Sequence, residues 1–268
     1  MIVALGWLGA CLMGGVLGVL GGGGSILTVP ILVYLFGIDA VTATGYSLFV
    51  VGCAALVGGA RYLRRGEVEI ETAVAFGVPS ILGVYACRRW VVPSLPEVFF
   101  AGSPLPLDKG TVILVAFAVL MLAASYSMIR GRRLPGGTSE SPPRSRYLHR
   151  LAGQGALIGV LTGFVGAGGG FLIIPALVLL AGLPMKTAVG TSLIIIAMKS
   201  LLGFVGELQS STGVDWAFLL AFSAVGIVGM VGGTTLSRRI PNETLKPAFG
   251  WFVFAMGAWM LVREMLGP

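Results

Sequence analysis

The sequence predicts an all-α membrane protein: two inverted-topology repeats of about five segments each, with short broken or re-entrant helices at glycine-rich turns. Three observations lead there. Apolar side chains make up 56% of the 268 residues and charged ones 11%, against about 25% charged in soluble domains. Residues 18–48 align without a gap over residues 163–193. The arginines cluster in three short stretches between apolar runs. No soluble core absorbs so much apolar surface, so the chain is read as membrane-embedded.

The elements follow in order. Five apolar segments occupy about 2–20, 25–36, 40–60, 70–87 and 109–129. Five more occupy about 152–165, 170–183, 187–206, 216–235 and 247–264. A full helical crossing needs about 20 residues at 1.5 Å each. The second segment of each half is too short for that, as is the first segment of the second half. Residues 1–20 are expected to be a first membrane segment and not a cleaved leader, because no basic stretch precedes the apolar run. The domain reading is a first repeat over 1–129, a basic cytoplasmic linker over 130–151, and a second repeat over 152–268.

Fifteen of the 31 aligned positions are identical, all at an offset of 145. They include Gly21/Gly166, Gly23/Gly168, Gly24/Gly169, Pro30/Pro175, Thr42/Thr187, Gly45/Gly190 and Ser47/Ser192. Chance likeness between two greasy stretches would match leucine and valine. Matching glycine, proline and hydroxyl residues indicates a duplication.

Orientation comes from Arg61, Arg64 and Arg65, from the arginines of the linker, and from Arg238 and Arg239. All three groups fall on the cytoplasmic side if each half has five segments. Arg88 and Arg89 then lie outside, against the rule. Five is odd, so the second half enters from the opposite face. Inverted repeats of this kind belong to secondary transporters, whose sites lie near the midplane between the repeats.

The stretch Gly21–Pro30, GGGGSILTVP, interrupts the first apolar run. Glycine costs about 1 kcal/mol relative to alanine inside a helix. It also permits a sharp turn, and non-helical backbone survives at depth only against protein or a wet cavity. Amides opening the following helix favour an anion. Two such turns meeting at the centre would make an anion cradle from Gly22, Gly23, Gly24 and Ser25 with Gly168, Gly169 and Gly170. The alternative is that these glycines only allow close helix packing.

The duplicated glycine-rich stretch, the proline, and then TATGYSL (42–48) and TAVGTSL (187–193) resemble the sulfite exporter TauE/SafE family of membrane permeases. The resemblance spans nearly the whole chain. It implies a multi-pass protein of the cell inner membrane that moves a small sulfur-containing anion, such as sulfite or an organosulfonate, by alternating access. An anion channel using the same cradle is the alternative. Such an anion needs donors: amides, hydroxyls or a cation. Ser47, Thr191 and Ser192 are candidate donors, whereas Thr42 and Thr187 could equally cap their helices. Lys199 stands inside a membrane segment where the first half has Ala54, and it departs from the hydroxyl or amide residues more usual in the family. It is read as a substrate cation, or as a lysine that snorkels outward or pairs with Glu207.

No enzyme activity, cofactor or metal is expected. Cys11, Cys53 and Cys87 lack ligand spacing, and the single histidine, His149, sits in a basic stretch. The net charge of +7 is assigned to topology and lipid headgroups and not to nucleic acid. The expected partners are the anion and the bilayer, with a homodimer possible.

Overall fold

The structure is a computed structural model that describes residues 2–96, 98–99, 107–129, 144–165, 170–179, 181–208 and 213–266. The stretch read from sequence as the first repeat contains α1 (Ile2–Leu20), α2 (Gly23–Pro30), α3 (Ala40–Leu63), α4 (Ile70–Ala86) and α5 (Lys109–Ile129). The stretch read as the second, with the linker before it, contains α6 (Arg144–Val165), α7 (Gly170–Leu179), α8 (Met185–Leu208), α9 (Trp216–Leu236) and α10 (Asn242–Leu266). Seven of the described helices are long and apolar enough to cross a membrane. Leu8, Leu12, Val74, Leu82, Leu157, Leu220 and Val228 are exposed on the outside of the bundle, where lipid tails take the place of a core.

Two details differ from the segment reading. The helix α6 starts at Arg144, inside the stretch assigned to the linker; Arg144, Arg146, His149 and Arg150 keep its first turns out of an apolar window without preventing helix. Residues 130–143 lie outside the described residues. Two short strands, β1 (Val98–Phe99) and β2 (Leu107–Asp108), pair antiparallel before α5, between the apolar segments read from sequence at 70–87 and 109–129.

Local chemistry sets the helix ends. The Asp39 carboxylate accepts from the amides of Val41 at 3.0 Å and Thr42 at 3.2 Å, capping α3. Asp215 does the same for α9 through the Phe218 amide at 3.0 Å. Thr42 and Thr187 lie inside their helices, so the capping role considered for them is corrected. Pro30 ends the regular part of α2, because it has no N–H to give and crowds the preceding turn. A π-helical turn, Ile31–Leu35, follows. It closes at Gly37 (φ +67°), and the equivalent short helix α7 closes at Gly182 (φ +70°). Ile38 donates to the Leu32 carbonyl and Leu183 to that of Leu177, each at 3.1 Å, so the two ends are built alike.

Packing repeats under exchange of each helix for the one five places later. The α1–α9 interface has its counterpart in α4–α6, α3–α9 in α4–α8, and α2–α10 in α5–α7. Equivalent helices run antiparallel where they meet. Along α3 and α8, Gly59 lies against Ile194, Gly52 against Leu201, and Leu48 against Gly203. Along α5 and α10, Gly257 lies against Met121 and Gly250 against Ile129. This is the arrangement inverted repeats require.

The repeats are also tied by side chains. Tyr34, on the π turn, donates to Glu264 Oε1 on α10. Arg263 lies 4.5 Å above the Tyr34 ring, and Trp259 meets that ring edge-on at 5.3 Å. At the arginine-bearing end of α3, Arg61 donates to the Val231 carbonyl at 3.0 Å and to Thr234 Oγ1 at 3.1 Å. There Tyr62 also bridges the Gly18 carbonyl and Ser237 Oγ. Tyr34→Phe is expected to lower stability by about 1.5–3 kcal/mol, the usual loss of a hydrogen bond to a charged group. A thermal melt of the purified protein checks it.

Candidate functional site

The first helix break is built by three residues. Gly21 takes φ +72°, a conformation that costs an L-residue strain and glycine nothing. Its amide donates to the Leu17 carbonyl at 2.7 Å and closes α1. Gly22 (φ −138°, ψ −19°) turns the chain, and α2 begins at Gly23. A helix leaves its first N–H groups without an acceptor of its own, so the amides of Gly23, Gly24 and Ser25 open into the turn. Ser25 Oγ donates to the Gly22 carbonyl at 2.7 Å, and Thr28 Oγ1 to the Gly24 carbonyl at 3.2 Å. Both hydroxyls are fully buried and lock the turn's own carbonyls. Ser25 can serve an anion as a donor only by releasing Gly22.

The first break meets the start of α7. A Cβ on Gly22 would lie 2.3 Å from the Gly170 carbonyl oxygen, and one on Gly170 would lie 2.7 Å from Gly22 Cα. The first amides of α2 and α7 therefore come together from opposite repeats. Gly168 and Gly169 lie outside the described residues. The glycines also pack closely, as their alternative reading holds: a Cβ on Gly24 would stand 2.3 Å from the Met13 carbonyl oxygen. Close packing and helix interruption are properties of the same residues here.

One face of α8 lines this meeting point. Val189 packs on Gly21 and Ile196 packs on Gly170. Ser192, between them and fully buried, donates to the Val189 carbonyl at 2.8 Å. Thr191 is turned away: its Oγ1 accepts the Glu69 amide at 2.9 Å, beside the α3–α4 connection. Ser47, the repeat equivalent of Ser192, is fully buried on α3, and its hydroxyl has no hydrogen-bond partner. The structure thus groups Gly22, Gly23, Gly24, Ser25, Gly170 and Ser192, and separates Thr191 from them.

Lys199 follows Ile196 by one turn of α8. It is 1% exposed, so it does not snorkel. Its Nζ donates to Thr162 Oγ1 on α6 at 2.9 Å; the side chain of Glu207, the partner considered from sequence, lies outside what the structure describes. Thr162 Oγ1 in turn donates to the Gly159 carbonyl at 3.2 Å. The hydroxyl proton is committed to Gly159, so the oxygen lone pairs face the amine. A lysine at this depth costs about 2.5–3.5 kcal/mol on insertion scales, which one hydroxyl acceptor offsets only in part.

Three residues near this lysine were missed in the sequence. Thr162 is one. Ser80 and Ser200 are the others, fully buried hydroxyls without a hydrogen-bond partner. A usable signal existed. Aligned at 145, Thr162 stands over Leu17 and Lys199 over Ala54, two polar departures from the first repeat that contact each other. An apolar groove of about 530 Å³ lies elsewhere, between α4 and α6, lined by Val74, Val78, Pro79, Leu148, His149 and Ala152. It holds none of the residues of the meeting point.

Paired short helices, broken inside a helical bundle and meeting tip to tip between two repeats, define a membrane transporter. Comparison with known proteins agrees. The profile described as sulfite exporter TauE/SafE matches residues 7–260, and the chain belongs to that family. A probable membrane transporter protein of Xylella fastidiosa (strain 9a5c) is 31% identical over 268 residues, covering 98% of this chain and 96% of the relative. One from Bacillus subtilis (strain 168) is 26% identical, covering 84% and 85%. One from Methanocaldococcus jannaschii is 25% identical, covering 92% and 91%. No solved structure matches the chain. The protein is a multi-pass membrane transporter and not an enzyme.

Proposed function

We propose that the protein is a secondary transporter that exports a small sulfur-containing anion, sulfite or an organosulfonate, across the cell inner membrane. The observation that carries this reading is the contact of Gly22 with Gly170 beside Ser192. Amides from two helix starts converge there, one from each repeat, and helix starts favour negative charge. The family description supplies the sulfur chemistry. Transport proceeds by alternating access, one repeat moving against the other around the convergence point. The Tyr34–Glu264 contact and the Arg61–Thr234 contact lie at opposite ends of α3 and its neighbours. In this scheme each must part when its own side opens.

The test is radiolabelled sulfite, methanesulfonate and sulfoacetate in proteoliposomes. Saturable uptake of at least one of them, with exchange against internal anion, is expected. Ser192→Ala removes a donor whose hydroxyl otherwise bonds only its own helix. It is expected to raise the half-saturation concentration about tenfold, the loss of one good hydrogen bond, with the melting temperature unchanged. Absence of uptake for every sulfur anion overturns the reading; unsaturable, voltage-driven current replaces the carrier with a channel.

A further inference from the structure

The proposed function leaves the charge of the anion open, and the surroundings of Lys199 bear on it. The ammonium has three N–H donors. Among the described residues one acceptor meets them, Thr162 Oγ1. Among the described side chains no carboxylate lies at this level on the helices around it. The acidic residues Glu67, Glu69 and Glu71 lie at the start of α4, near Gly190 and Thr191. On α10, Glu243 and Glu264 sit at the two ends. Among the described side chains no second cation accompanies it: the equivalent position in the first repeat is Ala54, buried among apolar side chains.

Other polar groups stand at the same level. On α4, Gly77 lies beside Ile195 and Val84 beside Gly203, which sets Ser80 level with Lys199. The Ser80 backbone lies against Gly159, the residue that accepts from Thr162. Ser80 and Ser200 have buried hydroxyls with no partner. Ile196, one turn below the lysine, touches Gly170. The lysine and its hydroxyls therefore adjoin the point where the two helix breaks meet.

Resting on the sulfur-anion reading, we propose that Lys199, positioned by Thr162, is the single counter-charge of the transported species, so that the carrier selects monoanions over dianions. A lone buried cation balances one negative charge. The helix-start amides bond the oxygens of the head group, so a second full negative charge would enter the low-dielectric centre without a cation of its own, and such a charge is strongly disfavoured. The selected class is then alkylsulfonates and hydrogensulfite, with sulfate, thiosulfate and sulfoacetate disfavoured. The amides at the starts of α2 and α7 hold the head group, and the lysine counts its charge.

The experiment compares methanesulfonate, with one fixed negative charge, against sulfate and thiosulfate, with two, as competitors of labelled methanesulfonate uptake in proteoliposomes. Wild type is expected to favour methanesulfonate by about tenfold to a hundredfold, the usual weight of a charge-assisted hydrogen bond. Lys199→Met should lose that preference along with most affinity, and Lys199→Arg should retain the preference. Thr162→Val keeps the charge and removes its anchor. It should weaken affinity for methanesulfonate while leaving dianions excluded. Equal competition by sulfate or thiosulfate in wild type overturns the proposal while leaving the transporter reading intact, as does unaltered selectivity in Lys199→Met. Uptake of no sulfur anion at all overturns both. If Lys199→Met does not yield folded protein, wild type and Lys199→Arg still decide the question.

Discussion

Gly22→Val is expected to abolish transport. The added Cβ would lie 2.3 Å from the carbonyl oxygen of Gly170, 2.4 Å from its carbonyl carbon and 2.8 Å from Ile174 Cδ1. Two of these atoms are backbone and cannot rotate away. Behind Gly170 stands Ile196, whose Cδ1 already occupies the space beside it. The two helix starts must separate, which spreads the converging amides and takes Ser192 out of register with them. Overpacking a well-filled site costs about 1–3 kcal/mol. The cost here falls on a contact between backbones, so a value at or above the top of that range is expected. Uptake per folded molecule and the melting temperature should both fall. Gly232→Ala is the control. Nothing lies within 4 Å of a Cβ there, and alanine inside helix α9 is worth up to about 1 kcal/mol over glycine. That variant should transport normally and melt slightly higher. Normal transport by Gly22→Val would remove the convergence of the two breaks from any account of function.

Gly14→Val is expected to prevent assembly of the fold itself. Its Cβ would sit 1.9 Å from the Gly226 carbonyl oxygen and 2.9 Å from the Met230 amide nitrogen. The facing helix is equally bare: a Cβ on Gly229 would lie 1.9 Å from the Cys11 carbonyl oxygen. Lipid tails are as apolar as leucine, so helix association in a bilayer rests on close packing and not on burial from water. The α1–α9 interface, which joins the two repeats, loses its basis when the backbones are forced apart. Several kcal/mol of destabilisation is expected, above the usual overpacking range of about 1–3 kcal/mol. The detergent-solubilised protein should lose its monodisperse peak in size-exclusion chromatography. Gly153→Ala on α6, with nothing within 4 Å, should leave that peak intact.

Much of this was legible before any coordinates. The run of glycines at 21–24 favoured a turn over close packing alone; α1 and α2 part at Gly21 and Gly22, while Gly23 and Gly24 open α2. Pro30 and Pro175 at matching places announced two short helices, and both helices close alike at Gly37 and Gly182. The offset of 145 paired α3 with α8, which then run antiparallel. The start of α6 was less legible, because a hydropathy reading stops at charged residues that a helix accepts.

The site was legible as a region and not as a set of side chains. Thr191 and Ser192 are neighbours on one helix, about 100° apart around its axis. Which of them faces the glycine turns depends on how α8 is rotated, and packing decides that: Val189 and Ile196 seat on Gly21 and Gly170, so Ser192 lies between them and Thr191 turns to Glu69. The partner of Lys199 could not be read from its own helix. Thr162 lies 37 residues earlier, and the two meet only because α6 and α8 come together in space.

The sequence by itself determined where the chain must be apolar, that it breaks after Leu20, and that two short helices follow matching glycine runs. Those properties are local: hydropathy, backbone freedom and the missing N–H of proline act within a few residues. Only the tertiary structure decided which breaks touch, which hydroxyls face them and what holds the buried lysine. Those are distances between parts of the chain far apart in sequence, set by helix rotation and close packing of the two repeats.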